Sequence, residues 1–139
     1  MTIRYLLDTN VLSELSKPAP NGGILRRFRR HILHVATASP VWNELRFGTM
    51  RFPPSRRRET LVAYLDNVIR ATLPILPYDA AAAEWHAEER VRLQAAGTTA
   101  PFVDGQIAAI AHMNDLVLVT SNIKDYSSFH ELAFEDWRS

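Results

Sequence analysis

The sequence predicts an α/β fold: a central parallel sheet flanked by helices, with residues 1–139 forming one domain. Three observations lead there. Short apolar runs alternate with longer helical patterns, the order expected of βαβ units. The first run, Ile3–Leu7, and the clearest one, Leu116–Thr120, are apolar nearly throughout, as in strands buried on both faces. A length of 139 residues with 47% hydrophobic content suits one sizeable core.

Taken in order, Ile3–Leu7 is the first strand and ends in Asp8-Thr9-Asn10. Asn10–Ser16 reads as a short helix. Lys17–Gly23 (KPAPNGG) is a loop on its Pro and Gly content. Ile24–His31 is a basic helix with Ile24, Leu25 and Phe28 as its apolar members. Leu33–Thr37 is the second strand. Ser39-Pro40 starts a helix, with serine as N-cap and proline at the first helical position. In that helix, Pro40–Met50, the residues Val41, Glu44, Leu45 and Gly48 follow i, i+3, i+4, i+7 spacing. Glu44 therefore shares a face with apolar neighbours. It is either an edge residue with a solvated head or a residue held there for a purpose.

Arg51–Arg58 is a loop, with Ser55 available to cap the helix that carries Leu61, Leu65, Val68 and Ile69. Leu73–Leu76 is a third strand, placed at an edge by Pro74. Asp79 caps a long helix, Ala80–Ala96, and Gly97 suits its C′ position. Phe102–Asn114 is the next helix, with Asp104 in its first turn, where the helix dipole favours a carboxylate. After Leu116–Thr120, Ser121–Asp125 reads as a loop leading to Tyr126. Phe134–Trp137 adds a short strand or a terminal anchor.

Composition removes several function classes. There is no cysteine, which excludes disulfides and thiolate-bound zinc and is compatible with a reducing cytoplasm, where the chain is expected to act. Asp8 interrupts the N-terminal apolar run and no cleavage site follows, so no signal peptide is expected. No uncharged run approaches a membrane span. The five histidines are scattered, and no Gly-x-Ser-x-Gly elbow, phosphate loop or dinucleotide fingerprint is present. Net charge is +1, but residues 15–58 carry ten basic side chains against one acid, Glu44. Arginine outnumbers lysine fourteen to two, the residue type suited to bidentate phosphate contacts and base stacking. A charge run is as often a solvated helix face as a nucleic-acid footprint.

Asp8 is the residue on which the chemistry turns. Ligands of open α/β sheets bind beyond the carboxyl ends of the strands, and Asp8 stands at such an end. An Asp after a strand is also a common turn residue or N-cap. If Glu44 and Asp104 converge on Asp8, their repulsion raises at least one carboxylate pKa, and a hard cation removes the conflict. Mg²⁺ or Mn²⁺ suits such an oxygen-ligand set. Beside a basic surface, that chemistry points to phosphodiester hydrolysis. Two other readings stay open: a non-catalytic module that binds nucleic acid or a partner protein, and a phosphotransferase with Asp8 as nucleophile, which would want a second acid where Asn10 stands.

Five stretches, YLLDTNVLSEL, SPVWNELRFG, DGQIAAIA, LVTSNIKDY and FEDW, together resemble the PIN-domain ribonucleases, most closely the VapC- and FitB-type toxins of bacterial toxin–antitoxin pairs. The match runs in order from Tyr5 to Trp137. The resemblance implies Mg²⁺- or Mn²⁺-dependent endonucleolytic cleavage of RNA, with Asp8, Glu44 and Asp104 at the family's metal-binding acids. The family's fourth acid falls at Asn122 here, and Asp125 is the nearby carboxylate available to replace it. Thr9, Asn10 and Thr120 match polar positions that orient the acids. The resemblance also implies a cognate antitoxin lying in the active-site groove and a homodimer or toxin–antitoxin hetero-oligomer. The exposed apolar residues of the Ile24–Phe28 and Leu61–Ile69 helices are where that interface is expected.

Overall fold

A computed structural model describes residues 2–139. Five strands, β1 (Tyr5–Leu7), β2 (Val35–Ala38), β3 (Ile75–Leu76), β4 (Val117–Val119) and β5 (Phe134–Glu135), form one all-parallel sheet in the order β3-β2-β1-β4-β5. The helices that link and flank them are α1 (Thr9–Leu15), α2 (Gly22–Arg30), α3 (Ser39–Met50), α4 (Arg56–Tyr64), α5 (Arg70–Thr72), α6 (Ala80–Ala95), α7 (Phe102–Met113) and α8 (Ile123–Tyr126). A π-helical turn, Leu65–Ile69, joins α4 to α5. Among the described residues no helix is long and apolar enough to cross a membrane.

The sheet explains the apolar runs. Leu6, Leu7, Ala36, Ala38, Leu118 and Val119 are completely buried, so both faces of the three central strands are covered. α7 contributes Ile107–Ala111, equally buried. Its alanines let the helix approach closely, and a helix apolar around most of its circumference belongs inside. The β3 pair is short and at an edge, because Pro74 offers only its carbonyl, which accepts the Thr37 N–H at 2.9 Å.

Two junctions decide where a site can form. From β1 the chain builds outward through β2 and β3, then returns to lay β4 on the other side of β1. The order therefore reverses at β1–β4, the crevice where open α/β sheets take ligands. Leu7 pairs with Val119, and the Asp8 N–H donates to the Val119 carbonyl at 3.0 Å, so Asp8 and Thr120 leave the sheet side by side.

Several expectations need correction. Leu33 and His34 lie in a 3₁₀ turn, with Leu33 57% exposed, and the second strand begins at Val35. Ser39 is not the N-cap of α3: it is the first helical residue, and its hydroxyl accepts the Tyr78 N–H at 3.3 Å. The basic helix starts two residues early, because Asn21 caps it by accepting the Ile24 N–H at 3.1 Å. The Ser121–Asp125 loop contains the start of α8. Ile24, Leu65 and Ile69 belong to the core, so they are not among the exposed apolar residues of their helices. Ser55 and Asp79 do cap their helices, and Gly97 takes φ +72°, a conformation that glycine tolerates best.

Candidate active site

Asp8 is 4% exposed, and burial pushes its carboxyl above the usual range. Four donors oppose that push. The Thr9 N–H donates to Oδ1 at 2.8 Å. Oδ2 accepts from the Thr120 hydroxyl at 2.8 Å, the Tyr126 hydroxyl at 3.1 Å and the Asn10 amide at 3.2 Å. These donors come from the segments after β1 and β4 and from α8, so the carboxylate is fixed by the convergence of three elements. The turn-residue and ligand readings of Asp8 are therefore not exclusive: one oxygen caps α1 while the other faces β4 and α8.

The surrounding polar atoms are themselves satisfied. Thr120 Oγ1 accepts from the Asn122 N–H at 3.0 Å, and Asn10 Oδ1 accepts from the Ser121 N–H at 3.0 Å. The buried Thr37 hydroxyl donates to the Leu7 carbonyl at 2.9 Å, holding the end of β1 against β2. No buried side-chain polar atom among the described residues is left without a partner.

Asp104 enters from the first turn of α7, half-buried. Its Oδ1 lies 3.5 Å from the Tyr126 hydroxyl, which thus stands between it and Asp8. Its carboxyl is pushed up to about 6, by burial first and then by the charges of Asp8, Asp125 and Glu44. Burial, with the charges of Asp8, Asp104 and Glu44, drives the Tyr126 hydroxyl upward, so it remains a donor. Glu44 is exposed, and its Oε1 accepts from the Thr9 hydroxyl at 2.8 Å. Asp125 stands exposed on α8 and acts on Asp104 through space. Asn122 is exposed, caps α8 with no side-chain bond, and meets the network only through its backbone N–H.

Asp8 and Asp104 are thus drawn together, Glu44 is tied to the segment between them and α3, and Asp125 flanks them. Among the described residues no three His, Asp or Glu side chains form a ready metal cage, and none of these four carboxylates is in an ion pair. Tyr126 is the member that sequence reasoning missed. A buried tyrosine must place its hydroxyl on a partner, but nothing in the order of residues says that the partner lies 118 positions away.

Comparison with known proteins decides the family. The PIN domain profile matches residues 5–134. The chain belongs to the PIN domain family. This PIN domain is 27% identical over 135 residues to the tRNA(fMet)-specific endonuclease VapC of Shigella flexneri, covering 97% of this chain and 98% of that one. It is 29% identical over 135 residues to Toxin FitB of Neisseria gonorrhoeae, covering 95% and 97%. A DNA-bound VapBC structure from Salmonella typhimurium superimposes with a TM-score of 0.87 at 29% identity, covering 97% and 98%. The curated relatives include proteins named as ribonucleases and toxins, and the structural neighbours include VapBC and FitAB assemblies.

Proposed function

We propose that this PIN domain is a divalent-metal-dependent endoribonuclease that hydrolyses RNA phosphodiester bonds. It acts as the toxin of a type II toxin–antitoxin pair in the cytoplasm. The observation that carries the reading is the pair Asp8–Asp104 at the sheet's switch point, joined by the Tyr126 hydroxyl and in no ion pair among the described residues. The residues fit a hard cation. Unpaired carboxylates that raise one another's proton affinity are a donor set suited to Mg²⁺ or Mn²⁺, and Mg²⁺ uses only one or two protein carboxylates while keeping waters.

Asp8 and Asp104 would hold the ion, with Glu44 and Asp125 adding negative field. When bound, such an ion polarises a phosphoryl oxygen and makes its water a stronger nucleophile. The chain's own work is orientation. Thr120, Asn10 and the Thr9 N–H lock the Asp8 carboxylate. The Thr9 hydroxyl holds Glu44 toward the same edge. Glu44 and Asp125 are exposed enough to accept a proton from an attacking water without refolding of the site. Relatives named as toxins, and neighbours solved as toxin–antitoxin assemblies, support a cognate antitoxin as inhibitor and an oligomeric state of homodimer or toxin–antitoxin hetero-oligomer.

The test maps 5′ ends in total RNA after brief induction of the wild type and of Asp8→Asn or Asp104→Asn. New, metal-dependent ends and growth arrest are expected for the wild type, with each variant at least about 100-fold slower. Full activity in excess EDTA, or in the double variant, would end this reading, whereas salt-dependent RNA binding with no metal-dependent cleavage would favour a binding module.

A further inference from the structure

We propose that the groove bounded by α1, α3 and α4 is a binding track for single-stranded RNA, reading outward from the candidate active site. The proposal rests on the ribonuclease reading. The groove has a volume of about 310 Å³. Thr9 and Glu44, hydrogen-bonded to each other, lie at its mouth, and Arg51, Phe52 and Arg57 line it further along. On α3, Glu44 and Arg51 are seven residues apart, two turns on one face, so roughly 10 Å of groove separates them. That distance spans one to two nucleotides of extended strand.

The cations here are available. Arg46 is spent on Asp66 and Lys17 on Glu14, whereas Arg51 and Arg57 pair with no carboxylate among the described residues. Each instead lies within cation–π range of an aromatic ring: Arg57 is 4.8 Å from the centroid of Phe52, which lines the groove, and Arg51 is 5.8 Å from that of Phe47, which stands beside it. Phe47 is 66% exposed and the neighbouring Met50 48%.

A guanidinium beside an aromatic ring offers a phosphate contact and a π-face close together. Those are the two elements that grip unpaired nucleotides. A duplex hides its base faces and would use only the charges. An acidic protein segment would use the charges too, but it has no need of alternating rings and guanidinium planes.

The assay titrates the full chain, in EDTA to prevent cleavage, into a fluorescein-labelled mixed-sequence RNA of about ten nucleotides. The double variant Arg51→Ala/Arg57→Ala should raise Kd at least about tenfold and flatten the slope of log K against log salt by about 1.4. Phe47→Ser should weaken binding severalfold with the slope unchanged. Arg29→Ala/Arg30→Ala, which removes equal charge from the exposed end of α2, should leave Kd within about twofold. These side chains are exposed, so thermal melts should stay at the wild-type value.

Equal losses in the two arginine doubles would reduce the effect to net charge and overturn the track. So would displacement of the RNA by poly-L-glutamate as readily as by unlabelled RNA, which would assign the groove to an acidic protein segment. Unchanged affinity in the groove double, with metal-dependent cleavage intact, sinks the track and spares the nuclease. Groove-dependent binding with no cleavage at all keeps the track and sinks the nuclease.

Discussion

Replacing Asp104 by Asn should make the metal-free protein more stable, and only above a definite pH. The reasoning runs through proton linkage. Burial and three neighbouring carboxylates lift the Asp104 carboxyl from 3.8 in the unfolded chain to about 6 in the folded one. The folded protein therefore holds this proton better than the unfolded chain does. Below about pH 4 both states are protonated and the group costs nothing. As pH climbs through about 6, the folded state must ionise against its neighbours and loses stability. The full difference corresponds to about 3 kcal/mol. Solvent screening in a half-open site cuts it to about 1.5 kcal/mol. With a urea m-value near 1.5–2 kcal/mol/M, Asp104→Asn should raise the midpoint by about 0.8–1 M at pH 7.5 in EDTA. At pH 4 the gain should fall to about a fifth. Adding about 10 mM MgCl₂ should stabilise the wild type more than the variant and close the gap. A variant no more stable than the wild type at pH 7.5, or one with equal gains at both pH values, would refute the electrostatic account of this site.

Two further outcomes probe the framework around it. Thr120→Val removes a buried hydroxyl that donates to the Asp8 carboxylate at 2.8 Å, and should cost about 2 kcal/mol and several degrees of Tm by calorimetry, with Thr120→Ser close to wild type. Gly105→Ala would place a Cβ 2.1 Å from His86 Nε2, and His86 is held by the Tyr78 hydroxyl at 2.8 Å, so overpacking should cost about 1–3 kcal/mol. Adding His86→Ala should recover part of that loss, and strict additivity in the double-mutant cycle would dismiss the clash.

The places of Asp8, Glu44 and Asp104 in the fold were readable because each sits at a junction that local rules mark. Asp8 ends an apolar strand, Asp104 opens an apolar helix, and Glu44 falls on the stripe of α3. The strands were readable for the same reason, except where a turn used strand-like residues. Leu33 and His34 have the apolar and extended character of a strand, but β1 offers pairing partners only from Val35 onward, and the 3₁₀ turn closes through the His34 N–H on the His31 carbonyl at 2.7 Å. Ser39 obeyed capping statistics and still lost its cap role to a distant contact with Tyr78. Tyr126 was illegible for a stronger reason: its role exists only once β1, α7 and α8 are assembled, and no spacing rule spans such separations.

Charge shows the same limit from the other side. The excess over residues 15–58 suggested one basic surface, yet folding distributes those side chains among unlike tasks. Arg27 donates to the Trp137 carbonyl at 2.8 Å and also to that of Ser139, which docks the C-terminal tail on α2. The tail lies so close that a Cβ at Gly23 would meet the Trp137 oxygen at 2.6 Å. Arg46 answers Asp66, and Arg58 reaches the Phe52 carbonyl and the Met50 sulfur. What remains beside Glu44 is Arg51 and Arg57, two guanidinium groups on aromatic rings. Glu44 in the groove, with Asp8 next to the groove residue Thr9, and two arginines further along make a steep local field from a chain whose net charge is only +1. A polyanion entering there meets attraction along the groove and repulsion at its mouth. The repulsion vanishes only when a cation occupies the carboxylates, so metal should strengthen RNA affinity as well as cleavage.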